Sequence, residues 1–427
     1  MKEGKMSISN SVISRRQLLA GMGLAAGAIS LRRTDTLWAA ATRVPSTPVS
    51  IAKCQSYDED LVAKLRTMFD QIGGIGDLVK GKTIAIKLNL TGGGRGFPPY
   101  ALGDTFWVNG KLAAAVCHLL SEAGAKRIRL LESARIGLRI EDKVLDGGWD
   151  LNPLRSAVPN LEFENTNNIG SGKRYSRLKV NSMRPHIYPS FDFNHSYEDC
   201  DVFISLAKMK HHEECGITLS MKNVFGATPC SIYGDDAGVD GPNERSRQGR
   251  EAVLHFGRRQ PSKSAPQELN FTSDRYEGHR VPRIVTDLVG ARPIDLAIID
   301  GIQSCVGGEG PWVPRSKALP PGQPGLLVIG RNPVCTDTVA VALMGYDPRQ
   351  QAGKPPFKVW KNRKDLKSDF QQEHGDLPQY GDNILLLAEA AGLGNADLNQ
   401  IDVRGIPIKE AVFDFESHRA PWPHEAL

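Results

Sequence analysis

Between Ser205 and Gly226 the chain reads SLAKMKHHEECGITLSMKNVFG, which places Lys208, Lys210, His211, His212, Glu213, Glu214, Cys215, Lys222 and Asn223 in one short stretch. Clustered ammonium groups hold anions such as carboxylates and phosphates. They also lower one another's pKa, which frees an amine for general-base work. Imidazole and carboxylate among them add proton transfer and metal ligation. Neighbours on an extended segment point to opposite sides, so only one of the two histidines faces a site, and His211 is taken as that one. Cys215 carries two readings, a reactive thiol and a small buried hydrophobe.

Polar residues also follow other apolar runs. Lys87-Leu88-Asn89 ends one, Glu132 ends a second, and Asp300 ends a third that leads to Gly307-Gly308-Glu309-Gly310-Pro311. In an open α/β sheet, ligands bind beyond the carboxyl ends of the strands. The expected site therefore has Lys208, Lys210, His211, Lys222 and Asp300 as catalytic groups, with Lys87, Asn89 and Asn223 holding the substrate. Glu309 and Asp337 are candidate ligands of a divalent metal, or else partners in structural salt bridges. Asp337 shares a helical face with Val334, Val341 and Met344, and a carboxylate so placed needs a cation or a hydrogen-bond donor. The glycine-rich Thr91–Gly96 has two readings, an anion-binding nest and a flexible loop.

Those side chains need elements to carry them. Near-continuous Ile/Val/Leu runs at Thr83–Leu88, Ile128–Leu131, Val202–Leu206, Leu296–Ile299 and Leu326–Ile329 predict strands covered on both faces. Helical patterns lie near 58–72, 108–123, 217–225, 282–289, 333–344 and 383–392. Gly124, Gly226 and Gly345 stand where a glycine ends a helix, and Asn332-Pro333 is a helix start. On 217–225, Ile217, Met221, Val224 and Phe225 form an apolar face, which leaves Lys222 beside the core boundary and able to reach a pocket. The fold class expected is α/β, a layered, largely parallel sheet with helices on both faces. Residues 147–198 read as hairpins or loops. Residues 234–280 are polar and aperiodic, too long for a simple connection, and read as a lid or an insertion.

The front of the chain carries a different message. Ser14-Arg15-Arg16-Gln17-Leu18-Leu19 opens a mild apolar run to Leu31, followed by Ala39-Ala40-Ala41. Paired arginines before such a run predict a twin-arginine signal peptide over 1–41, with Arg15 and Arg16 as its recognition pair. The run is too short for a membrane span. A linker at 42–50 and a single α/β domain at 51–427 follow. The leader holds six basic and two acidic residues, which leaves 47 against 46 and a net charge of +1 for the rest. That balance argues against a nucleic-acid partner. Expected partners are the twin-arginine translocation machinery and a small anionic ligand, with no integral membrane span after cleavage and an exported, periplasmic location. Seven cysteines show no C-x-x-C spacing, so no iron–sulfur motif is present.

The core motif also resembles a known family. Lys208, Lys210, then Lys222-Asn223-x-x-Gly226 are similar to the signature of the family called domain of unknown function 362. Ile86-Lys87-Leu88-Asn89, Asp300-Gly301-Ile302 with Gly307–Pro311, and Gly330, Asn332, Pro333, Val334 and Asp337 match further family elements. One departure is Ala207, where the family pattern has proline. Some relatives carry an appended ferredoxin-like cysteine set, which this chain lacks. The resemblance implies no defined reaction. Three readings stay open: an enzyme acting on a small anion, a redox or cofactor-carrying protein, and a non-catalytic periplasmic binding protein.

Overall fold

In chain order the strands of the computed structural model are Val49–Lys53 (β1), Thr83–Lys87 (β2), Arg127–Glu132 (β3), Leu161–Asn165 (β4), Tyr175–Lys179 (β5), Ser190–Asn194 (β6), Val202–Lys208 (β7), Lys210–His212 (β8), Gly216–Thr218 (β9), Leu296–Gln303 (β10), Cys305–Val306 (β11), Lys317–Ala318 (β12), Pro324–Gly330 (β13) and Val403–Gly405 (β14). The structure describes residues 44–92, 96–134, 137–158, 160–167, 175–243, 245–246, 249–357 and 381–419. The proposed leader with Arg15 and Arg16, and residues 93–95 of the glycine-rich segment, lie outside them.

Eight strands pair in the order β14-β1-β13-β10-β7-β2-β3-β4, and the central run from β10 to β4 is parallel throughout. Side chains alternate across a strand, and here both faces are covered. Ile84, Ile86, Ile128, Leu130, Ile204, Leu206 and Ile298 pack on one side, against Leu65, Met68 and Phe69 of the helix Leu61–Gln71 and Leu112 and Val116 of Gly110–Glu122. Ala85, Leu131, Phe203, Ala297, Ile299 and Val328 pack on the other, against Val281, Ile284 and Leu288 of Glu277–Ala291 and Val334 and Val339 of Pro333–Leu343. This is the layered α/β fold, with a largely parallel sheet between helices. Continuous apolar runs rather than alternating ones are what two covered faces require.

Several expectations need correction. Leu326–Ile329 lies in β13, which runs antiparallel to both β10 and β1. No crossover helix separates β10 from β13, only the short β11–β12 hairpin, and parallel pairing needs a crossover. The span 147–198 contains the β5–β6 hairpin, but also β4, which extends the main sheet beside β3. The helix expected at 217–225 starts at Ser220, because Ile217 and Thr218 belong to β9. Gly124 and Gly345 take φ near 87° as helix-ending glycines, whereas Gly226 sits inside a 3-10 turn over Val224–Ala227. Asn332 caps its helix as expected, accepting hydrogen bonds from the Val334 and Cys335 amides. Among the described residues no helix is long and apolar enough to cross a membrane.

Candidate active site at the sheet switch point

From β2 the chain winds outward through β3 and β4, then returns to place β7 and β10 on the other side of β2. The order therefore reverses between β2 and β7, and the carboxyl ends of those two strands border the place where open α/β sheets bind ligands. Asn223 bridges them. Its amide nitrogen donates to Lys87 O at 3.2 Å, to Ser205 Oγ at 3.1 Å and to Leu206 O at 3.4 Å, while its oxygen accepts from Asn89 Nδ2 at 3.0 Å. Asn223 thus ties β2 to β7.

Beside it, Lys87 Nζ lies 2.6 Å from Glu132 Oε1, with both side chains almost fully buried. Glu132 also accepts from the Leu90 and Ser133 amides, each at 2.8 Å. A buried ion pair persists when its remaining polar positions are satisfied in this way. Gly226 makes room for the pair, since a Cβ there would come within 3.1 Å of Lys87 Nζ and 3.3 Å of Glu132 Oε1. The glycine of the Lys-Asn-x-x-Gly motif is thus a matter of space rather than of backbone conformation.

Next to the Lys87–Glu132 pair is a cavity of about 790 Å3 lined by Lys87, Asn89, Glu132, Lys222 and Asn223 from the strand ends and the motif helix. The segment after the motif adds Arg250 and His255, while His212, Glu214, Glu309 and Trp312 complete other walls. Among the described residues, Lys222 and Arg250 meet no carboxylate partner. Lys222 Nζ has no hydrogen-bond or ion-pair partner among the described residues and lies 4.4 Å from the centre of the Phe225 ring. Burial holds its pKa below the ordinary lysine range, against the pull of Cys215, Glu214 and Glu309. Arg250 is anchored through Nε and Nη2 on Thr228 O, at 2.9 and 2.6 Å, and also donates to Ser133 Oγ. Asn89 Oδ1 and Thr218 Oγ1, on residues lining the same cavity, are buried without a hydrogen-bond partner. Such atoms ask for a ligand or water.

A second group lines the same cavity. His212, Glu214 and Glu309 each offer one ligand atom, and these atoms lie within 4.8 Å of one another. All three residues are more than nine-tenths buried. His212 Nδ1 is 3.0 Å from Glu214 Oε2, and the Glu213 amide donates to Glu309 Oε2 at 3.1 Å. One imidazole with two carboxylates is an N/O donor set suited to a divalent ion such as Zn2+ or Mn2+.

The cavity brings together Lys87, Asn89, Lys222, Asn223 and Glu309 of the residues expected from sequence. The others do not line it. Lys208 and Asp300 form a fully buried ion pair at 3.1 Å, with Lys208 also donating to Tyr57 OH at 2.6 Å and to Asp104 O at 3.3 Å. Asp300 in turn accepts from Tyr57 OH and from the Asn109 and Ile302 amides. Both groups are saturated, so their place is structural rather than catalytic. Lys210 donates to Glu309 O at 2.8 Å and is pushed down to about 8 by burial. It therefore fixes the loop that carries Glu309.

His211 was expected in the site and points away from it. Its Nδ1 accepts the Gly307 amide at 3.0 Å, so Nε2 carries the proton and donates to Tyr346 OH at 2.9 Å. Burial drives its pKa down to about 3. Of the two histidines, His212 rather than the expected His211 lines the cavity. Asp337 is not a metal ligand either. It accepts the Ser220 and Met221 amides, each at 2.9 Å, and pairs with Ser220 Oγ at 2.6 Å, so it caps the motif helix from the neighbouring one. Burial raises its carboxyl to about 7.

Sequence reasoning missed Glu214, His212, Arg250 and His255. His212 ends β8 and Glu214 lies in the turn to β9, so their closeness comes from the hairpin and had no periodic signal in the sequence. Arg250 and His255 have none either, because they come from the aperiodic segment 234–280 and reach the cavity only through its path in space.

Comparison with known proteins agrees with the motif. A Synechocystis sp. thylakoid-associated protein, sll1697, is 33% identical over 190 residues, covering 42% of this chain and 50% of that protein. The chain thus spans about half the length of that curated relative. Among solved structures, a Thermotoga maritima protein from a structural-genomics programme aligns with a TM-score of 0.28 at 13% identity, over 58% of this chain and 50% of that one. The lactate racemase apoprotein from Thermoanaerobacterium thermosaccharolyticum aligns at 0.29 and 14% identity, over 61% and 50%. The family model described as domain of unknown function (DUF362) matches residues 84–342, the span from β2 through nearly all of the Pro333–Leu343 helix, and the chain belongs to that family.

Proposed function

We propose that this chain is an exported enzyme that acts on a small anionic substrate in the switch-point cavity, with a divalent metal at His212, Glu214 and Glu309. The observation that carries this reading is the pair of cations without a carboxylate partner among the described residues, Lys222 and Arg250, lining the same cavity as a buried His/Glu/Glu cluster. Arg250, held through Nε and Nη2 by Thr228 O and Ser133 Oγ, keeps its Nη1 group for a charge-assisted hydrogen bond to a carboxylate or phosphate. A metal in the cluster would act as a Lewis acid on the same substrate. Export rests on the Arg15-Arg16 leader.

Two measurements test this. Metal analysis of protein purified after native export should find a divalent ion in near-equal amount. Adding Mn2+ or Zn2+ to chelated protein should raise the melting temperature, since a ligand at a hundredfold excess over its Kd stabilises by about 2.7 kcal/mol. His212→Ala with Glu309→Gln should abolish that metal-dependent rise. Phosphate or oxalate should raise the melting temperature of the wild type but not of Arg250→Met. No metal-dependent rise in the wild type would remove the metal from the proposal, and no anion-dependent rise would remove the substrate class. A coloured, iron-bearing sample would point instead to a redox carrier.

A further inference from the structure

Five lysines are buried around this end of the sheet, and four of them are used up. Lys87 is paired with Glu132, Lys208 with Asp300, Lys210 is bound to Glu309 O, and Lys143 to Gly92 O. Lys222 differs. It is 8% exposed, lines the cavity, packs its Nζ over the Phe225 ring, and meets no acceptor among the described residues. A structural lysine at such burial would be expected to have a carboxylate or carbonyl beside it, because an isolated buried ammonium is expensive. Burial shifts such an amine toward its uncharged form, whose free electron pair is nucleophilic.

We propose that Lys222 condenses with the carbonyl carbon of a small carbonyl-bearing acid, of the 2-oxo acid class, whose carboxylate is held by Arg250. This deepens the anionic-substrate reading and rests on it. In the step, the Lys222 nitrogen pair forms a bond to the carbonyl carbon and the carbonyl π pair moves to oxygen. The C–O bond of the resulting carbinolamine then breaks, and the oxygen leaves as water with the two amine protons. The product is a C=N bond, and no oxidant or reductant is needed. Burial and the Arg250 charge favour the free amine of Lys222, and they act against Cys215, Glu214 and Glu309, which favour the ammonium.

The test traps the C=N bond. Protein purified after native export is incubated at neutral pH with pyruvate or glyoxylate and cyanoborohydride, and the adduct is located by peptide mass mapping. Lys222 should be modified roughly tenfold faster than surface lysines, whose amines are about 99.9% protonated at pH 7. Phosphate or oxalate should slow that labelling, and Lys222→Arg should abolish it at this position while surface labelling continues. The wild-type map decides even where a variant fails to fold. If phosphate and oxalate bind, as melting shifts show, but Lys222 is labelled no faster than the surface lysines, the imine is excluded and the anion site survives. If neither anion binding nor Lys222 labelling is seen, both fall together.

Discussion

Lys208→Met is expected to destabilise the protein by about 3–5 kcal/mol, because it leaves the Asp300 carboxylate buried with its cation gone. The pair is fully enclosed, and Tyr57 OH bridges it by accepting from Lys208 and donating to Asp300. Removing one ion breaks three contacts of Lys208 at once and leaves Asp300 with neutral donors only. The loss should appear as a lower midpoint in urea unfolding at an unchanged slope, together with a lower melting temperature. Lys222→Met, by contrast, removes an amine with no acceptor among the described residues and should alter stability little, by about 0.5 kcal/mol. Measuring the two side by side separates a lysine that holds the fold from one that serves the cavity. Equal losses in both variants would mean that Lys222 has a structural partner, and would remove the ground for its reactivity.

The second large effect concerns export. Changing Arg15 and Arg16 together to lysine is expected to leave the protein in the cytoplasm with its leader attached. A twin-arginine translocase reads the guanidinium pair itself, and lysine preserves the charge but not the planar fork. Fractionation followed by immunoblotting measures this. The wild type should be found in the exported fraction, and amino-terminal sequencing should place its start near Ala39–Ala41. A double-lysine variant exported at the wild-type level would show that another route is used, and with it the proposed location and the translocase partner would be lost.

The residues that matter differ in how openly the sequence declares them. The apolar runs of β2, β3, β7 and β10 declare a sheet buried on both faces, since only such a sheet tolerates uninterrupted Ile, Val and Leu. Asn332-Pro333 declares its helix start through local capping chemistry. Lys222, Asn223 and Gly226 stand out in sequence by their spacing, although Asn223 and Gly226 also serve the joining of β2 to β7 and the room for the Lys87–Glu132 pair.

Partner choice is where the sequence falls silent. Lys208 and Asp300 follow apolar runs as Lys87 does, yet they become a saturated pair because β7 and β10 are neighbours in register, with Asp300 opposite Lys208. His211 and His212 are equivalent in one dimension. The seating of the short β8–β9 hairpin decides which of them meets Tyr346 and which meets the cavity. Asp337, 117 residues from Ser220, finds its amide donors only when two helices pack together. Arg250 and His255 come from a segment without periodicity, so nothing local marks where they end. Local chemistry along the chain thus determined the elements, their two-sided burial and the motif that carries the site. Only the tertiary structure decided which charges neutralise one another and which are left facing the cavity, because neutralisation depends on distance in space and on burial, and neither is encoded by spacing along the chain.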